Sequence, residues 1–401
     1  MAKFRLGIDL RLYGAEHSGL GRYSAEILDA LLRYGHDLDI VGFVDSYSAN
    51  KEKLAALGVA IIDAPYRPYS WQEQILLPSV IAKAKVDLVH FPHFNVPLTY
   101  GGPYVVTIHD LIMHHFPWRT TSQRVAPVFF MKHLAYRATV RRAINRARAV
   151  IAVSRYTAED ILTYYPQVAG RLKIILEPAP ILGSQSDMKL GVSRDLKRSV
   201  PEVVSGECRD DKDILLKYNI GRPYILIVGN LYPHKNTRTV MRVWQRLYPL
   251  AKRQLVIVGR LDVFARRLYN EALTLGLVYD SGESPVRFLG FVGDHDLRQL
   301  YRMAEYYLNP SLLEGVGLTG LEALAMGTLV LSSPNGPLPE IYQNGATYIP
   351  VDNEEVMYRA LYKIFNRQVN TTRPEFKESY NLKDVATSLE NCYYEVLRSK
   401  E

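Results

Sequence analysis

Residues 305–333, EYYLNPSLLEGVGLTGLEALAMGTLVLSS, decide the fold. EYYLNP (305–310) and TLVLSS (328–333) are apolar runs of strand length, and between them a glycine-rich turn leads into a helix that starts near Gly317. Two strands joined through a helix form a parallel βαβ unit. The glycines leave backbone N–H groups and the positive end of the helix dipole exposed above the first strand, a geometry that suits phosphate.

The same alternation continues outward. YILIVG (224–229), QLVIVG (254–259) and VRFLG (286–290) precede it in one block. FRLGID (4–9), LDIVGFV (38–44), VDLVHF (86–91), YVVTIH (104–109), AVIAVS (149–154) and KIILE (173–177) form another. Such runs, buried on both faces and separated by amphipathic segments, predict an α/β protein of two Rossmann-like, doubly wound domains. The first domain is expected at 1–180 and the second at 223–381. The polar stretch between them, 181–222, reads as a linker or insertion, because GSQSDMKLGVSRDLKRSVPEVVSGECRDDKDI (183–214) is charged and poor in aromatics. Residues 382–401 have helical periodicity and are expected to pack as one helix on an existing domain, the first being a candidate.

Composition narrows the class. The chain has 401 residues, of which 48% are apolar and 22% charged, so it is globular and not disordered. Its 2 cysteines exclude a disulfide framework and suit a reducing compartment. The start, MAKFRLGIDL, lacks the apolar stretch of a signal peptide, and no window has the length of a membrane span, so a cytoplasmic protein is expected. The net charge of +8 favours an anionic ligand or surface but is too diffuse to imply nucleic acid. The surplus is local: residues 1–175 hold 21 Lys and Arg against 14 Asp and Glu. KHLAYRATVRRAINRAR (132–148) has 6 cations and no acid, and reads either as a solvated helix face or as a peripheral contact with anionic membrane.

Within the helix, residues 318–326 are apolar or small except Thr319 and Glu322, three apart on one face. A helix this apolar is buried, and an unpaired buried carboxylate costs several kcal/mol or takes up a proton. Glu322 therefore needs a partner. A vicinal diol such as a ribose can supply it, and so can a neighbouring backbone group, unless Glu322 sits in the one exposed gap of the helix. Glu314, in the preceding turn, can approach the same ligand from the loop side.

The long frame PSLLEGVGLTGLEALAMGTLVLSS (310–333), with 7 residues between its two glutamates, resembles the signature of family 4 glycosyltransferases of the GT-B fold. SGLGRYSAEI (18–27), VVTIHDL (105–111), AVIAVSRYTAEDIL (149–162), ILIVGNLYPHKN (225–236) and VRFLGFVGDHDLRQLYRMA (286–304) agree in the family's order. The resemblance implies a retaining hexosyltransferase, mannosyltransferases included. Such an enzyme carries sugar from a nucleoside diphosphate sugar to a glycan or lipid-linked acceptor, in a cleft between two domains, for cell-surface polysaccharide synthesis. It implies no cofactor and no catalytic metal.

By the same resemblance, Glu322 holds the donor ribose, Glu314 contacts the donor sugar, and the N–H groups of Gly317, Leu318 and Thr319 meet the sugar and diphosphate. Backbone at Phe291 and Val292 would hold the base. Lys235 resembles the family's phosphate lysine, His109 its histidine beside the donor sugar, and Gly19 and Gly21 its glycine loop near the donor phosphate. The catalytic candidates are thus His109, Lys235 and Glu314. Two departures stand out: His234 sits where arginine is common, and Asn230 occupies a position that is arginine in some relatives. Diphosphate neutralisation then rests on Lys235, with Arg238 or Arg260 as helpers.

No carboxylate stands out as a nucleophile, so a front-face displacement is expected, with the leaving diphosphate taking the acceptor proton. Other activities remain open on the same architecture: a nucleotide-sugar epimerase, a glycan phosphorylase, or a non-catalytic sugar-nucleotide binder. His90, His93, His109, His114 and His115 form a histidine-rich group without the carboxylate or cysteine spacing of a metal site. The Asp-x-Asp triplets beginning at Asp37, Asp211 and Asp294 read as solvated acids.

Overall fold

The computed structural model describes residues 4–14, 18–46, 48, 50–116, 126–178, 209–279, 283–371 and 381–398. The chain divides into two units: Met1–Pro180 with Glu314–Val316 and Lys377–Glu401, and Ile181–Leu313 with Gly317–Phe376.

The first unit contains, in chain order, β1 (Phe4–Asp9), α1 (Ser18–Tyr34), β2 (Leu38–Val44), α2 (Lys51–Ala56), β3 (Ala60–Asp63), α3 (Trp71–Ala84), β4 (Leu88–Phe91), β5 (Tyr104–Ile108), α4 (Ile112–His115), α5 (Ala126–Arg146), β6 (Ala149–Ala152), α6 (Arg155–Tyr164) and β7 (Leu172–Ile174). Its seven strands are parallel, in the order β3-β2-β1-β4-β5-β6-β7. Every residue of β4, β5 and β6 is buried, as expected of central strands covered on both faces. The strand order reverses between β1 and β4, and doubly wound sheets bind ligands beyond the carboxyl ends of the strands at such a point.

The second unit contains α7 (Arg209–Tyr218), β8 (Tyr224–Val228), α8 (Thr237–Ala251), β9 (Gln254–Val258), α9 (Val263–Thr274), β10 (Val286–Gly290), α10 (Asp294–Met303), β11 (Tyr306–Asn309), α11 (Leu318–Ala325), β12 (Val330–Ser332), α12 (Leu338–Tyr342), β13 (Ala346–Tyr348) and α13 (Glu354–Phe365). Six parallel strands run β10-β9-β8-β11-β12-β13, so the order reverses between β8 and β11.

The last helix, α14 (Leu382–Arg398), packs on α1. Glu390 accepts a 2.5 Å hydrogen bond from the His36 N–H just beyond α1, and Tyr394 donates to the His36 carbonyl at 3.1 Å. The helix thus caps the carboxyl end of α1 while burying Val385, Leu389 and Tyr393.

Two features differ from the sequence reading. The stretch taken as an unstructured linker, 181–222, ends in α7, whose Ile214 is buried and whose Lys217 and Tyr218 both donate to Asp296 of α10. A tertiary partner, invisible locally, stabilises a helix that composition disfavours; residues 181–208 lie outside the described residues. The strands β3 and β13 were not anticipated: both lie at sheet edges and are largely not buried, so they lack the continuous apolar run of the central strands. Among the described residues, no helix is long and apolar enough to cross a membrane.

Candidate active site

In the second unit, the loops after β8 and β11 flank the reversal of strand order. After β8 the chain turns through a single 3-10 turn, Pro233–Lys235, before α8. The carbonyl of His234 in that turn accepts a 2.7 Å hydrogen bond from the N–H of Leu312, in the loop after β11. Asn236, with φ of 58°, anchors the turn from its other side by donating to the Val351 carbonyl at 3.0 Å. Lys235, half-buried, is therefore held at the strand end beside the loop that leads to Glu314. Asn230 is exposed directly after the same strand.

The loop after β11 enters α11 through Gly317, which has φ of 85°. A side chain here would be strained by the backbone and would collide with Leu338 and with the Tyr342 hydroxyl. That hydroxyl donates to the Gly317 carbonyl at 2.5 Å and accepts from the Asn309 amide at 3.0 Å. Gly320 is required for the same reason, since an added Cβ would lie 2.2 Å from the same oxygen. The helix entrance that sequence reading assigned to the donor is thus clamped from behind by α12. First-turn N–H groups such as those of Leu318 and Thr319 have no intrahelical acceptors. The dipole of α11 adds partial positive charge at this end.

Both signature glutamates are buried: Glu314 is 7% exposed and Glu322 1%. Glu322 accepts a 2.8 Å hydrogen bond from the Tyr301 hydroxyl of α10, which stabilises a carboxylate that burial alone would disfavour. A side-chain partner was not among the outcomes read from sequence, and at 1% exposure Glu322 does not sit in an exposed gap. Thr319 shares a 2.6 Å hydrogen bond with Tyr307 of β11. At the outer strands, Gly290 ends β10, Phe291 projects into solvent at 69% exposure, and Val292 turns inward. Leu261 and Val263, following β9, are exposed as well. Arg238 forms a 2.6 Å ion pair with Glu271 of α9, so its charge is already directed away from any diphosphate.

In the first unit, Gly19 and Gly21 lie in the first turn of α1. An added Cβ at Gly19 would meet nothing within 4 Å, and the Gly21 carbonyl accepts from the Gly14 N–H at 3.2 Å. His109 directly follows β5. Its Nε2–H donates to the Pro92 carbonyl at 2.9 Å, and its Nδ1 lies 3.5 Å from a carboxylate oxygen of buried Glu177. Burial works against a charged imidazole, but Glu177, the Pro92 carbonyl and Asp110 outweigh it and raise the pKa of His109. Tyr23 packs edge-on against the ring with centroids 4.5 Å apart.

Of the other histidines, His93 stacks on His109 with ring centroids 6.4 Å apart, and the rest bond to different partners. His90 bonds Tyr393 and Thr107, His114 bonds Tyr136 and Tyr165, and His115 bonds Asp160. Among the described residues, no three His, Cys, Asp or Glu side chains gather into a group that could hold a metal.

Lys235, Asn230, Phe291, Val292, Gly317, Leu318, Thr319 and Glu322 all lie at or just beyond the carboxyl ends of the second sheet's strands. Gly19, Gly21 and His109 lie at that end of the first sheet. Sequence reading missed Tyr342, Tyr301 and Glu177. Tyr342 is 25 residues from the carbonyl it holds, and no local pattern marks it.

The comparisons agree with this architecture. The model described as Glycosyltransferase Family 4 matches residues 17–177, and the one described as Glycosyl transferases group 1 matches 222–367. The O-antigen chain mannosyltransferase RfbU of Salmonella typhimurium is 24% identical over 374 residues, covering 89% of this chain and 90% of its own. The O-antigen chain mannosyltransferase B of Escherichia coli is 26% identical over 346 residues, 81% of each chain. Among solved structures, Anabaena HepE in complex with UDP and glucose superposes with a TM-score of 0.62 at 17% identity, covering 99% of this chain and 98% of that one. The catalytic domain of starch synthase IV from Arabidopsis thaliana gives 0.65 at 15% identity, with 99% and 100% covered. With the signature frame on the second sheet's switch point and both family models in sequence order, the chain belongs to the family 4 glycosyltransferases of the GT-B fold.

Proposed function

We propose that this glycosyltransferase is a retaining mannosyltransferase that uses a nucleoside diphosphate sugar and extends a glycan or lipid-linked acceptor in cell-surface polysaccharide synthesis. The observation that carries the reading is the His234–Leu312 hydrogen bond, which ties the turn of Lys235 to the loop of Glu314 at the strand reversal. A cation, a buried carboxylate and a helix start at one strand end suit a diphosphate joined to a sugar. In the front-face step, the bond between the anomeric carbon and the diphosphate oxygen breaks with its electron pair leaving on the phosphate. The acceptor oxygen bonds to the same face of that carbon, and its proton passes to the departing phosphate. Lys235 and the α11 N-terminus stabilise the growing negative charge, while His109 orients the sugar. No metal takes part in this scheme.

The experiment is a thermal-shift panel of GDP, UDP and ADP sugars, followed by incubation with acceptor, chelator and NMR of the product's anomeric centre. Stabilisation by one donor and a product of retained configuration support the reading. An inverted product, epimerised donor or sugar phosphate without transfer overturns it.

The protein acts in the cytoplasm at the inner face of a membrane. α5 exposes Phe130, Met131 and Leu134 beside Lys132, Arg137 and Arg141, apolar and cationic groups together, as interfacial helices do. Equal sedimentation with neutral and anionic vesicles would overturn this part.

A further inference from the structure

The face of the first sheet that carries His109 is polar where a covered sheet is normally apolar. Side chains two apart share a face of a strand, so Thr107 and His109 leave β5 on the same side. His90 of β4, whose register partner is Val105, lies on that side as well. Two helices that pack on each other, α1 and α14, cover it, and each sends one tyrosine inward: Tyr23 from α1 and Tyr393 from α14. All of these residues belong to the first unit.

Together they form one hydrogen-bonded row. The Tyr393 hydroxyl lies 2.8 Å from His90 Nδ1, His90 Nε2 lies 2.8 Å from Thr107 Oγ1, and that oxygen lies 2.9 Å from the Tyr23 hydroxyl. The Tyr23 ring then meets the His109 ring at 89°, with centroids 4.5 Å apart. Apolar side chains would bury α14 at less cost, as Val385, Leu389 and Val396 already do, so buried polar groups here have to be bonded to persist.

The row is also uncharged near neutral pH. Burial, helped by His109, lowers the His90 pKa to about 3, and burial raises both tyrosines. A neutral imidazole has one donor and one acceptor nitrogen, so Tyr393 and Thr107 take opposite roles on His90. The row thus holds geometry and carries no charge. Tyr23 can move away from His109 only by giving up its Thr107 bond in a dry interior. Pro92 and Glu177 engage the two nitrogens of His109, and Tyr23 is the surface on which the ring rests.

We infer that Tyr393, on the last helix, is a positioning residue for sugar transfer: through His90 and Thr107 it fixes the Tyr23 ring against His109, and so sets the imidazole that orients the donor sugar. The inference rests on that proposed role of His109.

The full chain is tested with two readouts: the His109 ring-proton shifts at fixed pH, which sense the neighbouring Tyr23 ring, and steady-state transfer kinetics. Tyr393→Phe keeps the ring and removes the hydroxyl; Thr107→Val keeps the shape and removes the oxygen. Both should move the His109 signals and lower kcat about tenfold, with donor KM changed less than about twofold, because the sugar is misaligned and not lost. Thr107→Ser, which keeps the oxygen, should restore both readouts. Glu390→Ala removes a polar anchor of α14 on His36 without touching the row, and should leave both unchanged below its melting temperature. Unmoved His109 signals in Tyr393→Phe, an equal response in Glu390→Ala, or undiminished kcat in Tyr393→Phe where His109→Ala lowers it overturns the inference. Tyr393→Phe decides the matter if Thr107→Val does not fold. Failure of the underlying reading shows separately, as undiminished kcat in His109→Ala, and the inference then falls with it.

Discussion

The Tyr342 hydroxyl donates to the carbonyl of Gly317 at 2.5 Å, joining α12 to the first residue of the α11 entrance. The loop that carries the signature is therefore shaped from behind by a side chain outside the signature. Tyr342→Phe removes this hydrogen bond and leaves a buried carbonyl without it. We expect a stability loss of about 1–3 kcal/mol in urea unfolding. The donor KM should rise, because the entrance loses its fixed geometry. Gly320→Ala should be worse than Tyr342→Phe for folding, and Tyr342→Phe should not rescue it, since the added Cβ would also lie 2.3 Å from the ring carbon that bears the hydroxyl.

Lys235 acts on charge that grows as the diphosphate leaves. Lys235→Ala should lower kcat by roughly 10²–10³, with a smaller effect on donor binding, because the interaction strengthens in the transition state. Steady-state kinetics beside a nucleotide-sugar titration separates the two. Equal losses in affinity and kcat/KM with kcat preserved would assign Lys235 to ground-state binding alone.

His109 and Glu177 form a buried pair whose effect depends on pH in a definite sense. The folded pKa of His109 is raised, so the stability it contributes is fully present below the ordinary histidine value and disappears as pH rises through the raised one. Glu177→Gln should move the His109 titration downward, as read from its ring-proton shift in NMR. It should also flatten the stability-against-pH curve in that window. A titration unchanged by the substitution would exclude Glu177 as the cause.

Arg11 and Glu73 have side chains only 2% and 0% exposed. Glu73→Ala leaves Arg11 forked on the two Asp9 oxygens at 2.8 and 2.7 Å but strips the Asn95 amide and the Tyr69 N–H of their acceptor, so it should destabilise by about 1–3 kcal/mol in urea unfolding.

Much of the fold was legible because it rests on local repetition. Central strands such as YVVTI (104–108) and YILIV (224–228) are apolar apart from Thr107, a pattern typical of parallel sheets covered on both faces. The segment around α7 was misread because its helix depends on Lys217 and Tyr218 meeting Asp296, almost 80 residues later. The same division holds in the site: the glycines of 315–320 and the two glutamates are adjacent in the chain, whereas Tyr301, Tyr342 and Glu177 reach their partners through folding.

The sequence by itself determined the two βαβ blocks, the glycine-rich entrance to α11, the cation that follows β8 and the histidine that follows β5. Periodicity and local residue order encode all of these. Only the tertiary structure decided that Tyr301 supports Glu322, that Tyr342 holds Gly317, and that Arg11 fastens Asp9 to Glu73. Each of those relationships is a short-range hydrogen bond between atoms that the chain brings together from distant positions, and its strength depends on a burial that no local stretch of sequence contains.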